Sequence, residues 1–117
     1  MQLDLSRYRI SLVICPVDMR CGYRSLSSIA EACLGIHVGN GRDCVIFASS
    51  HRSVCKVIWS DDKGSNTLVR KLRQGRFQQL VVRAEQGDTV EISAAELMKY
   101  LDGEKLLSAR AGFHCGF

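Results

Sequence analysis

Chemistry in this chain would come from its thiols, imidazoles, carboxylates or clustered bases, so their spacing is the first thing to weigh. Six cysteines stand at Cys15, Cys21, Cys33, Cys44, Cys55 and Cys115, and three histidines at His37, His51 and His114. No two of the cysteines form a C-x-x-C pair, the spacing with which one tight turn aims two thiolates at a metal ion. The expectation is no metal site, with most of these thiols acting as small buried hydrophobes. A nucleophile needs a base beside it; among so many thiols and imidazoles, spacing singles out no Cys–His pair. His114 next to Cys115 reads as part of a frayed tail. The paired acids Asp61-Asp62 lie in a turn, where sequence neighbours are solvated rather than convergent. The segment "GIHVGNG" does not match G-x-G-x-x-G, and no P-loop occurs. No catalytic residue and no cofactor follow from these motifs.

The bases give a stronger signal. The net charge of +4 is unevenly spread. Between Arg52 and Arg83 lie eight bases (Arg52, Lys56, Lys63, Arg70, Lys71, Arg73, Arg76, Arg83) against Asp61 and Asp62, a net +6. From Ala84 onward six acids oppose three bases, a net −3. Such asymmetry fits a face for a polyanion, but taken alone it favours a solvated face beside an acidic helix. Arg70, Lys71, Arg73 and Arg76 would contact DNA phosphates, with Phe77 beside them to stack one base, and Arg52 and Lys56 are expected to join them as DNA contacts. Neither helix-turn-helix nor zinc-finger spacing accompanies them.

The densest polar cluster is "CPVDMRCGYRSL", Cys15–Leu26, which holds the only proline. Asp18 is expected to accept backbone amides and close the turn after Pro16, as aspartate does in such turns. Arg20 would pair with it or reach an acidic partner, and Met19 would plug the core.

These residues need elements to hold them. Tyr8–Ile14 reads as a strand whose ladder Pro16 ends. From Arg24 to Leu34 the apolar residues Leu26, Ile29, Ala30, Cys33 and Leu34 recur at i, i+3, i+4, i+7 and i+8, one face of a helix that Gly35 closes. Gly39–Asp43 is a loop. Cys44–Ala48 is apolar without alternation, as in a strand covered on both faces. Val54–Trp59 follows as a strand, with "SDDKGSN" as the next turn. "TLVRKLRQGRF" fits helix or strand, and the hairpin signal before it favours strand. Thr89–Ser93 is a short strand running into Ser93-Ala-Ala-Glu96, a capping box. Ala94, Leu97, Met98 and Leu101 then line one helix face, and Gly103 stops it.

Taken in order, several of these blocks resemble the small accessory protein encoded by the second reading frame of insertion sequence 66 family transposable elements. Pro16, Val17, Asp18, Met19, Arg20 and Gly22 match that family's motif entering a helix, with Cys21 where a lysine is usual. "CVIFASSHRSVCKVIWSDDKGS", "VRKLRQGRF" and "EISAAELMKYLDGE" are similar to its later blocks, with Trp59-Ser60-Asp61 where it has Trp-Asp-Gly. The resemblance covers residues 8–104 and leaves 105–117 as a tail. It implies a protein that supports transposition beside a larger transposase and does not itself cut strands. The family's dense basic turn is thinned here to Arg52 and Lys56, with His51 nearby, which reduces the charge that the resemblance implies there.

At 117 residues the chain fits one domain, residues 1–117, able to bury a core without staples. The expected fold is α+β: a mainly antiparallel sheet of four or five strands packed by two amphipathic helices. Without a signal peptide or an apolar run of membrane length, a cytoplasmic protein is expected. The leading function is a non-enzymatic transposition accessory protein contacting DNA, the transposase, or both. A structural or protein-interaction module without nucleic acid, such as a homodimer, is second, and a small thiol enzyme third.

Overall fold

The hairpin at the middle of the chain builds the sheet outward. In the computed structural model, which describes residues 4–79 and 89–106, strand β3 spans Val54–Asp61 and β4 Gly64–Lys71. The link between them is only Asp62-Lys63, shorter than the "SDDKGSN" turn expected from composition. Asp61 accounts for this: its Oδ1 accepts the amides of Lys63 (2.9 Å) and Gly64 (3.0 Å), and its Oδ2 accepts Asn66 Nδ2 (3.1 Å). The acid thus folds the backbone back within two residues, and the ladder runs on through Asp61↔Gly64.

Strand β2 (Asp43–Ala48) pairs antiparallel with β3, completing the expected meander. Strand β1 (Arg9–Val13) pairs parallel with β2 and antiparallel with β5 (Thr89–Ile92), giving the order β4-β3-β2-β1-β5. The one parallel pair requires a crossover, and helix α1 (Tyr23–Leu34) lies in that connection. Gly35 closes α1 at φ 68°, with its amide returned to the Ala30 and Glu31 carbonyls. The α+β fold, one compact domain with a mostly antiparallel sheet, is as the sequence indicated.

The two helices cover opposite faces of the sheet. Along β2, alternate residues point to opposite sides. Cys44 and Ile46 join Ile10, Leu12, Val57, Leu97, Tyr100 and Leu101, beneath helix α2 (Ala94–Leu101). Val45 and Phe47 join Val13, Leu26, Ala30 and Ile58, beneath α1. That double covering explains the unalternating β2 sequence. Two expected core positions are exposed instead: Cys33 on α1 and Met98 on α2. On α2 the buried place belongs to Tyr100, whose ring stacks on Phe77 with centroids 5.0 Å apart. Ser93 and Glu96 form the capping box, at 3.1 and 2.9 Å. Leu106 is also buried in the α2 layer, so the segment after α2 begins by packing on the core. Arg83, His114 and Cys115 lie outside the described residues.

Candidate nucleic-acid interface

Strand polarity brings the signature loop and most of the bases to one end of the sheet. Val13 lies opposite Thr89, Ala48 opposite Cys55, and Val54 opposite Lys71. Since β1 and β2 run parallel, the loop after β1, the turn after β2 and the segment after β4 all emerge at this end. The loop carries Pro16, Asp18, Met19, Arg20 and Gly22; the turn carries Arg52; the segment carries Arg73 and Arg76.

The loop is a built turn. Val17 donates its amide to the Ala48 carbonyl at 3.1 Å, fastening the loop to the end of β2. Asp18 Oδ1 accepts the Arg20 amide at 2.8 Å, and the Arg20 guanidinium donates to both carboxylate oxygens, the shortest contact being 2.7 Å. Those bonds, side chain first and backbone second, hold the Asp18 carboxyl down at about 2. Met19 is half-buried against the α1-side core, as expected. Gly22 starts α1 in extended backbone, φ −93°, accepting the Leu26 amide at 3.0 Å. A Cβ there would meet nothing within 4 Å, so neither its backbone nor its surroundings demand glycine. Lys56 completes the frame by donating Nζ to the Cys21 carbonyl at 2.7 Å.

Arg52 ties the next layer together. It is the non-glycine residue with positive φ, 59°, among the described residues. Its carbonyl accepts the Phe77 amide at 2.7 Å, and its Nε donates to the Phe77 carbonyl at 3.2 Å. The adjacent Ser53 carbonyl accepts the Leu72 amide at 3.0 Å. These bonds pin the segment after β4 against the β2–β3 turn. Phe77 is driven into the core onto Tyr100 and is not available to stack a base, contrary to the expectation from its neighbours in sequence.

The expected phosphate contacts therefore separate into groups. Arg70 and Lys71 are adjacent on a strand and face opposite sides. Arg70 turns toward α2, where its guanidinium meets Asp102 at 3.5 Å, while Cys55, its cross-strand partner, is buried in the same layer. Lys56 and Arg52 are engaged in holding loops. Lys71, Arg73 and Arg76 are exposed and, among the described residues, form no ion pair. With half-buried Arg52 they give the end of the sheet its positive field. Sequence reading named these bases but not their convergence with the Pro16–Gly22 loop, which follows from the parallel β1–β2 pairing.

Thiol chemistry finds little support in this geometry. Cys44 and Cys55 are buried, and burial pushes both thiols up to about 12, with Asp43 adding to the effect at Cys44. Cys15 and Cys33 are exposed and Cys21 is half-buried, so fewer of the thiols are core than expected. Among the described residues no three His, Cys, Asp or Glu side chains gather to hold a metal ion. None of the described helices is long and apolar enough to cross a membrane.

Comparison with known proteins agrees with the residue blocks. The family model described as IS66 Orf2 like protein matches residues 8–111. The chain is also 36% identical over 86 residues, covering 74% of this chain and 71% of the relative, to the uncharacterized protein y4hO of Sinorhizobium fredii. No solved structure matches. With the signature loop, the hairpin and the capped helix all inside the matched region, the chain belongs to the IS66 Orf2 like protein family, accessory proteins of insertion sequence 66 transposable elements.

Proposed function

We propose that this transposition accessory protein works by contacting DNA through the end of the sheet that carries Lys71, Arg73 and Arg76, in the cytoplasm and without catalysing strand cleavage. The observation that carries the reading is the placement of these three exposed bases, without an ion pair among the described residues, beside a rigidly framed loop at one end of the sheet. Phosphate contacts of this kind position a protein on DNA and carry no sequence information by themselves. Recognition of the element's ends then falls to the transposase, with this chain adding affinity and the exposed side of its Pro16–Gly22 loop available to that larger protein. Fluorescence anisotropy of a labelled duplex tests the reading: Arg73→Ala with Arg76→Ala should weaken binding, and an affinity unmoved by the double change would sink it.

A second reading has its own observation. Strand β4 is at an edge of the sheet, and Val69 there is 51% exposed. An unpaired edge can add a strand from a second copy, although Arg70 and Lys71 on the same strand are the kind of charges that blunt such pairing. Sedimentation that gave a dimer, abolished by Val69→Lys, would favour this protein-contact role.

A further inference from the structure

Beneath the basic end of the sheet lies a cavity of about 90 Å³, lined by apolar residues including Leu12, Ile14 and Pro16 and by the polar residues Ser49, Ser50, Arg52, Gln78, Gln79 and Tyr100. One water needs roughly 10–15 Å³ by this measure, so the space takes a group of several heavy atoms. Tyr100 is only 2% exposed. Among the described residues its hydroxyl makes no hydrogen bond, yet no side-chain oxygen there is both sealed and without a partner. The hydroxyl oxygen therefore keeps accessible surface, and the cavity is the space that Tyr100 lines. Burial raises the phenol's pKa, with Cys55 adding to the shift and Arg52 opposing it, so the proton stays on the hydroxyl.

The polar capacity left around this cavity holds more donors than acceptors, the acceptors being the Gln79 carbonyl and the serine and tyrosine hydroxyls. The carbonyls of Ala48, Ser49 and Arg52 already accept the amides of Val17, Arg52 and Phe77. Gln78 Oε1 accepts the Leu106 amide at 2.7 Å, leaving its two Nε2 hydrogens. Ser49 Oγ accepts from the Val54 amide at 3.4 Å, leaving its own proton. Arg52 uses Nε on Phe77 and retains four N–H groups. No carboxylate lines the space. A donor-rich lining that holds a guanidinium and no carboxylate suits an anion.

We propose that this cavity is a phosphate-binding pocket, in which Tyr100, Arg52, Gln78 and Ser49 donate to the oxygens of one phosphate group. The group belongs to a nucleic acid, as a strand-terminal phosphate or a backbone diester, or to a free phosphate. The nucleic-acid source rests on the reading given under the proposed function, whereas the pocket itself does not.

Titrating the full chain with inorganic phosphate against chloride at matched ionic strength, followed by amide NMR, tests it. The expected result is a saturable shift at Ser49–Arg52 and Gln78, weakened about tenfold by Tyr100→Phe because a hydrogen bond to a charged group is lost. The melting temperature should not fall, since that hydroxyl bonds nothing in the fold. No shift, or a shift that Tyr100→Phe leaves unchanged, overturns the pocket. If Tyr100→Phe does not fold, Ser49→Ala must weaken binding about threefold, and an unchanged affinity overturns the proposal in the same way. Short oligonucleotides with and without a 5′-phosphate separate the sources: preference for the phosphorylated strand assigns the terminal group, and equal binding assigns the diester. Phosphate binding without oligonucleotide binding keeps the pocket and removes the DNA reading. Oligonucleotide binding without phosphate shifts removes the pocket and leaves that reading standing.

Discussion

Lys56, near the start of β3, donates its ammonium to the carbonyl of Cys21, 35 residues earlier, at 2.7 Å. The bond joins the sheet to the loop that carries the family's signature and feeds α1. Its donor is charged and half-buried, so the bond belongs to the stronger kind. Replacing Lys56 with methionine keeps the stem and removes the donor, and should cost about 1–2 kcal/mol. Urea unfolding is the check, with amide exchange at Cys21 and Gly22 quickening more than in β3.

The loop's own lock is acid-resistant. Asp18 has its carboxyl held at about 2, below the usual carboxylate value of 3.8, by the Arg20 side chain and amide. A depressed folded-state pKa means the contribution is complete above the unfolded value and lost as pH falls through the folded one. The Asp18–Arg20 contact should therefore persist at pH 3 and open near pH 2. Carboxyl NMR titration of Asp18 measures it directly; a midpoint at the ordinary value would mean that the turn does not hold the carboxylate. Asp18→Asn should remove pH dependence from this window.

Ser93 closes the start of α2 with its hydroxyl on the Glu96 amide at 3.1 Å. Ser93→Ala should destabilise the domain by about 1 kcal/mol. The loss should appear as a lower denaturation midpoint with an unchanged slope, because the same surface is exposed on unfolding.

Thiol labelling at neutral pH should divide the described cysteines by burial. Cys33 should react in the folded protein, while Cys44 and Cys55 should react only after unfolding, being enclosed and raised to about 12. A folded-state reaction at Cys55 faster than at Cys33 would revive a thiol nucleophile.

Local signals in the sequence were readable where one residue decides the geometry. Ser93 and Glu96 announce a cap, Gly35 an α1 terminus, and the β2 composition a strand covered twice. What failed depended on partners far along the chain. Met98 occupies a periodic position on α2, yet Tyr100 takes the core because Phe77, from another segment, offers a ring to stack on. The same stack withdraws Phe77 from the basic run it belongs to in sequence. Arg70 and Lys71 look like one patch when read as letters, but the pleat of β4 sends them to opposite faces. The parallel pairing of β1 with β2 leaves no local mark either, and it is this pairing that brings the Pro16–Gly22 loop to the basic end.

The salt dependence of DNA binding reports how many phosphates the basic end of the sheet neutralises. Each neutralised duplex phosphate contributes about −0.9 to the slope of log K against log salt, so Lys71, Arg73 and Arg76 together should give roughly −3. Arg73→Ala with Arg76→Ala should bring the slope near −1 by the same rule, roughly, without loss of fold, because exposed side chains away from special sites contribute little to stability. Arg70→Ala should leave the slope unchanged, since that guanidinium faces Asp102 on the other side of the sheet. A slope near zero, or one that falls with Arg70→Ala and ignores Arg73 and Arg76, would contradict the account.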